Sequence, residues 1–162
     1  MLSICIPSYN RPSELERLLE SIKEIKSDAI EVVISDDASP NQNLINDVVN
    51  KYTNHLNIKY IPRSTNLGYD LNLIFLAENA SYEYMMFIGD DDFIEPANVI
   101  DFLSHLSLTK ADFILTPVYG SAGHMRRCFS ESFFKENLSR FGLAKLAFEC
   151  IFFQGLYFEL IS

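Results

Sequence analysis

The chain of 162 residues sets 13 Lys and Arg against 22 Asp and Glu, a formal charge of −9, with 48% hydrophobic and 13% aromatic residues. That length fits one domain, and the apolar content excludes a disordered chain. The acidic balance excludes a nucleic-acid binder, which needs clustered Lys and Arg against phosphates.

Leu2–Ile6 is a short apolar run closed by Pro7 and predicts a buried strand. Ser13 stands three before Glu16, a capping-box spacing, and Leu15, Leu18, Leu19, Ile22 and Ile25 follow at helical intervals. Glu31–Ser35 predicts a second strand, and Leu44, Ile45, Val48, Val49 and Tyr52 the face of a second helix. Ile58–Ile61, stopped by Pro62, predicts a third strand; Leu71, Ile74, Phe75 and Ala77 predict a third helix. Tyr84–Ile88 predicts a fourth strand, Val99–Leu106 a fourth helix and Phe113–Leu115 a fifth strand. Strands alternating with helices of this length predict an α/β fold: right-handed βαβ units and a mostly parallel sheet flanked by helices.

From Val118 the pattern loosens, with Gly120 and Gly123 in a loop and a small basic patch at Arg126 and Arg127. Phe141–Ile161 is very apolar, interrupted by Lys145, Glu149 and Glu159. Two readings of that tail stay open: a buried helix lacking its packing partner, which would make a homo-oligomer contact, and a helix lying on a membrane surface. No membrane span and no signal peptide are expected. Cys5, Cys128 and Cys150 are odd in number and far apart, so a reducing compartment is expected.

Ligands of parallel α/β sheets bind beyond the carboxyl ends of the strands. Beyond the first strand come Pro7-Ser8-Tyr9-Asn10-Arg11, and beyond the second Ser35-Asp36-Asp37-Ala38-Ser39. Beyond the third lies Arg63-Ser64-Thr65-Asn66-Leu67-Gly68-Tyr69, and beyond the fourth Gly89-Asp90-Asp91-Asp92. The topology predicts that these five aspartates meet at one edge. Such crowding is costly unless a cation is shared, and hard oxygen ligands suit Mg²⁺ or Mn²⁺ completed by water and phosphate oxygens. Tyr9 is placed to stack on a base, Asp36 to accept from a base N–H, and Arg11 and Arg63 to pair with phosphates. Taken singly, each also has a plain structural explanation: a turn or cap at 36–37, a solvated loop at 90–92, surface ion pairs, partial burial.

In order and spacing, these segments resemble family 2 glycosyltransferases of GT-A (Rossmann-like) fold, over residues 2 to about 100. Ile4-Cys5-Ile6-Pro7-Ser8-Tyr9-Asn10-Arg11 is similar to their opening motif, and Val33-Ile34-Ser35-Asp36-Asp37-Ala38-Ser39 to V-D-D-G-S. Asn66-Leu67-Gly68 is similar to N-x-G, and Gly89-Asp90-Asp91-Asp92 lies where the family has its D-x-D metal motif. The resemblance implies a nucleoside-diphosphate-sugar donor, transfer to a hydroxyl of a saccharide or lipid-linked acceptor, and a role in bacterial surface polysaccharide synthesis. It implies a cytoplasmic enzyme, at most peripheral to the inner face of the membrane. Tyr9 and Asp36 would hold the base, Asp90 would lie near the ribose, and Asp91 or Asp92 would hold Mn²⁺ or Mg²⁺. Pro7, Asn10, Arg11, Asp37, Arg63 and Asn66 complete the expected donor-binding set. Residues 1–117 would form the donor-binding core and 118–162 the start of an acceptor side cut short. Ala38 departs from the family's Gly and Gly89 from its first Asp. Neither Glu149 nor Glu159 matches a motif, so no general base is assigned.

Two rival classes remain. One is a metal-dependent phosphohydrolase, whose Asp-x-Asp ordinarily follows the first strand; the other is a donor-binding remnant without transfer activity. The lack of G-x-G-x-x-G and G-x-x-x-x-G-K disfavours dinucleotide oxidoreductases and P-loop NTPases. His55, His105 and His124 are too scattered for a metal cluster.

Overall fold

Among the described residues four parallel strands form one sheet: β1 (Leu2–Ser8), β2 (Ile30–Asp36), β3 (Ile58–Pro62) and β4 (Tyr84–Phe87), in the order β3-β2-β1-β4. The computed structural model describes residues 1–106 together with 118–119 and 125–127. Crossovers are made by α1 (Pro12–Lys23), α2 (Gln42–Tyr52) and α3 (Tyr69–Asn79), and α4 (Pro96–Leu106) follows β4. Short β5 (Val118–Tyr119) and β6 (Met125–Arg127) pair antiparallel in a sheet of their own. The predicted strand at 113–115, the apolar tail at 141–161 and the boundary at 117/118 lie outside the described residues.

The central strands β1 and β2 are buried along their whole length, as expected of apolar runs covered on both faces. Leu2, Ile4, Ile6, Leu15, Leu18, Leu19, Ile22, Ile34 and Ile45 are sealed from solvent in one cluster between sheet and helices. Pro7 lies beyond the last β1–β4 pair, Cys5↔Phe87, so its missing N–H breaks no β1–β4 pairing. Cys5 is buried, and burial pushes its thiol up to about 12, which leaves it inert.

Three local expectations are corrected. Ser13 is not a cap: Arg11 occupies the N-cap position without a side-chain cap bond, and Pro12, whose fixed φ suits a first turn, begins α1. Leu44 of α2 is exposed, and the buried face is Ile45, Val48, Val49 and Tyr52. In α3 the expected face is rotated: Leu71 and Ile74 are 49% and 56% exposed, while Asn72, Leu73 and Leu76 are buried. The helix is apolar around most of its circumference, so periodicity alone does not set its phase. A polar contact does. The Ser35 hydroxyl donates to Asn72 Oδ1 at 2.5 Å, and Asn72 Nδ2 donates to the Ser35 carbonyl at 3.1 Å. This buried pair turns Asn72 toward the sheet.

Candidate functional site

Register builds the site. Ser8 pairs with Asp36, and Asp36 with Pro62, so the last residues of three strands stand side by side. Continuing the β1–β4 register from Cys5↔Phe87 brings Asp90 opposite Ser8. The Ser8 hydroxyl donates to Asp90 Oδ2 at 3.1 Å, while its carbonyl accepts the Asp37 N–H at 2.9 Å. One serine therefore touches both acidic segments, and both lie at the carboxyl edge of the sheet.

The two segments differ in what they offer. Asp36 is fully buried: Oδ1 accepts from the Ser39 N–H (3.1 Å) and the Ser39 hydroxyl, and Oδ2 accepts from the Tyr60 hydroxyl at 3.2 Å. Asp37 is buried too, with Oδ1 accepting from Leu67 N–H at 3.1 Å and Oδ2 from Gly68 N–H at 2.8 Å. The Arg63 guanidinium stands 3.7 Å from Asp37 Oδ1 and stacks over Phe75, 4.6 Å from the ring centre. The two acidic segments thus share one edge, but only one of them leaves its carboxylates open. Asp36 presents no open carboxylate to a base, and Asp37 pins the start of α3, because a strand-end carboxylate turned inward satisfies backbone N–H groups.

The open charge belongs to Gly89–Asp92. A Cβ built on Gly89 would lie 3.0 Å from Asp91 Oδ1 and 3.1 Å from Asp92 Oδ2, so two carboxylates converge over a bare Cα. Asp92 Oδ2 also accepts the Gly89 N–H at 3.2 Å. Arg11 Nη1 donates to Asp90 Oδ1 at 3.3 Å and to Asp91 Oδ2 at 2.9 Å. Beyond this loop the Ile94 N–H donates to the buried Ser21 hydroxyl at 3.3 Å, fastening it to α1. Two hard oxygens over Gly89 fit Mg²⁺ or Mn²⁺, which take one or two carboxylates when phosphates supply the rest. Among the described residues no group of three or more His, Cys, Asp or Glu would hold an ion unaided.

The remaining expected residues surround this edge. Tyr9 is exposed, its ring open to stacking. Asn10, at φ +57°, donates its N–H to Ser39 Oγ at 2.7 Å. Exposed Asn66 accepts the Gly68 N–H at 3.1 Å. Pro7 is buried in β1 and serves the strand. The supporting hydroxyls and amide of Ser8, Ser39, Tyr60 and Asn72 were not anticipated from sequence. Only Ser39, three residues after Asp36, carries a local turn signal.

Ala38 adopts φ +59°, a left-handed conformation that disfavours a Cβ. Ala38→Gly is expected to stabilise the protein by about 0.5–1 kcal/mol, the relieved strain less the extra unfolded-state entropy of glycine. A urea midpoint unchanged or lowered would contradict that.

Burial pushes the Asp90 carboxyl up to about 6; the Ser8 hydrogen bond and the Arg11 charge oppose the rise, and Asp91 adds to it. Between the unfolded value and 6 the folded state retains a proton that the unfolded state has lost. Stability at this group is therefore greatest below pH 4 and declines as pH rises through 4 to 6, by about 3 kcal/mol in all. Urea unfolding across that range, compared with Asp90→Asn, should show a decline in the parent that the variant lacks.

The four-stranded parallel sheet and its helices match solved GT-A glycosyltransferase folds. A family model described as Glycosyl transferase family 2 matches residues 3–161, and the chain belongs to that family. It is 31% identical over 137 residues to poly(ribitol-phosphate) beta-N-acetylglucosaminyltransferase TarS of Staphylococcus aureus, covering 83% of this chain and 23% of that protein. It is 38% identical over 96 residues to abequosyltransferase RfbV of Salmonella typhimurium, covering 57% of this chain and 28% of that one. The chain thus spans about a quarter of the length of these curated relatives. The crystal structure of S. aureus TarS 1-349 in complex with UDP-GlcNAc superposes with a TM-score of 0.68 at 29% identity, covering 83% of this chain and 38% of that one. A mannosyltransferase from Pyrobaculum calidifontis in complex with GDP-Man and Mn²⁺ shares the fold, with a TM-score of 0.62 at 16% identity over 74% of this chain and 35% of that one.

Proposed function

We propose that this chain is the donor-binding part of a transferase that moves a sugar from a nucleoside-diphosphate sugar to an acceptor hydroxyl. The observation that carries the reading is the shared edge, where Ser8 bonds both Asp37 and Asp90 and where Asp91 and Asp92 converge over Gly89. A uridine nucleotide is the favoured donor, because TarS, the relative with 83% coverage of this chain, has a structure with UDP-GlcNAc. Bacterial surface polysaccharide or a lipid-linked saccharide is the proposed acceptor class, and the cytoplasmic side, where nucleotide sugars are made, the proposed location. Among the described residues no helix is long and apolar enough to cross a membrane. Residues 1–117 would hold the donor, with acceptor contacts, membrane contact or self-association falling to 118–162.

In this reading Tyr9 stacks on the base, and Asp36 acts indirectly, by fixing Ser39 and hence the Asn10 backbone beneath it. Asp90 faces the ribose. Asp91 and Asp92 would hold Mn²⁺ or Mg²⁺, which when bound supplies Lewis-acid stabilisation of the departing diphosphate. Arg11 lies beside that diphosphate, and the Asp37–Arg63 pair holds the Asn66–Gly68 turn that borders it. Thermal-shift titration with UDP, CDP, dTDP and GDP, with and without Mn²⁺, tests this. A Mn²⁺-dependent rise for one nucleotide, UDP above the others, is expected. No rise with any of them, or phosphate release from a simple phosphomonoester, would overturn it. The phosphohydrolase reading is disfavoured because the aspartate cluster follows β4 and not β1.

A further inference from the structure

Arg11 joins two members of the aspartate triplet through a single nitrogen, Nη1, 3.3 Å from Asp90 Oδ1 and 2.9 Å from Asp91 Oδ2. Its root is fixed. Arg11 is the N-cap of α1, its carbonyl accepts the Leu15 N–H at 3.1 Å, and the preceding residue is held left-handed against Ser39. Its head is half exposed and held by those two carboxylates, in reach of an arriving anion. Asp91 is divided in the same way, with Oδ2 on Arg11 and Oδ1 over Gly89 beside Asp92. A divalent ion entering over Gly89 alone would therefore meet a guanidinium already neutralising one of its two ligands. A diphosphate arriving with the ion reverses this balance, since its oxygens offer Arg11 a bidentate partner and relieve the repulsion between the two cations.

We infer that Arg11 is the resident counter-ion of the acidic edge, a positioning residue that resists the metal alone and transfers to the diphosphate when both arrive, so that metal and nucleotide bind as a coupled pair. The inference rests on the donor-site reading above and adds to it the order in which the charges are exchanged. By linkage the coupling is reciprocal: the nucleotide strengthens the ion as much as the ion strengthens the nucleotide.

The test is a Mn²⁺ titration of the full chain read by the paramagnetic signal of free Mn²⁺, with and without saturating UDP, for the parent, Arg11→Gln and Arg11→Lys. Arg11→Gln is expected to bind Mn²⁺ alone roughly fivefold more tightly, and Mn²⁺ with UDP roughly tenfold more weakly, than the parent. Arg11→Lys, which keeps the charge but loses the planar fork, should fall between them. A second readout needs no variant. In the parent, the Arg11 side-chain Nε–H resonance should shift when Mg²⁺ and UDP are added together and stay in place with Mg²⁺ alone. Unchanged or weaker Mn²⁺ binding by Arg11→Gln, or a resonance that moves with Mg²⁺ alone, would overturn the inference and leave the donor site standing. If the parent bound no Mn²⁺ even with UDP, the donor reading would fall and this inference with it.

Discussion

Replacing Asp91 and Asp92 together with asparagine is expected to abolish metal-dependent nucleotide binding while leaving the fold intact. Asparagine keeps the size and one acceptor oxygen of each side chain, so packing around Gly89 and the loop hydrogen bonds survive. It removes the negative charge that a hard cation requires. Asp91 is more than half exposed, and among the described residues no further His, Cys, Asp or Glu completes a cluster of three with the pair that could hold the ion in their place. Losing a mere supporting partner of a metal site costs about 10–100-fold in metal affinity, and losing both direct ligands should cost at least about 100-fold. Stability should move by less than about 1 kcal/mol, because exposed charges contribute little to folding. Calorimetric titration of UDP in Mn²⁺, paired with urea unfolding of the same variant, checks both halves. Nucleotide binding that persists in the double variant would remove Asp91 and Asp92 from the site.

The second large effect is structural. Asp37→Ala should destabilise the protein by about 3–5 kcal/mol, the cost of leaving a buried charge without its partner. Asp37 is 3% exposed and accepts the backbone N–H groups of Leu67 and Gly68, and Arg63 stands against it with most of its side chain buried. Arg63 Nη1 has no hydrogen-bond partner among the described residues, so the Asp37 charge and the Phe75 face are its compensation. Truncating Asp37 leaves a guanidinium in low dielectric and the Leu67 N–H without its acceptor at the start of α3, while the Gly68 N–H keeps only Asn66. Pairing the change with Arg63→Met should recover a large part of the loss, since the stranded cation is then gone. A double-mutant cycle by urea denaturation measures this, and simple additivity of the two changes would show that Asp37 and Arg63 do not act as a pair.

These two predictions fall on aspartates that look alike in the sequence. The edge itself was legible. Buried parallel strands read as short, mainly apolar runs, so Leu2–Ile6, Val32–Ile34 and Met85–Ile88 announced where polar residues would gather. Direction was not legible, because a carboxylate following a strand has the same local sequence whether it turns out to a ligand or back onto backbone donors. Asp36 and Asp37 turn inward for reasons supplied by distant residues, Tyr60 on a neighbouring strand and Leu67 and Gly68 at the next helix. The phase of α3 escaped for the same reason: in a helix with Leu71, Leu73, Ile74, Phe75 and Leu76 close together, the deciding contact is the polar pair of Asn72 with Ser35. The positive φ of Ala38 was foreshadowed by the glycine usual in the motif it resembles, and its conformation explains that preference.

The most direct test is paramagnetic broadening of amide resonances in the ¹⁵N-labelled chain on adding substoichiometric Mn²⁺ with UDP. Signals of 89–92, together with those of Tyr9 and Arg11, are expected to vanish first, while those at the opposite end of the sheet, such as Asp28 and Asn57, stay sharp. Broadening spread evenly over the acidic surface, or centred away from Gly89, would contradict it.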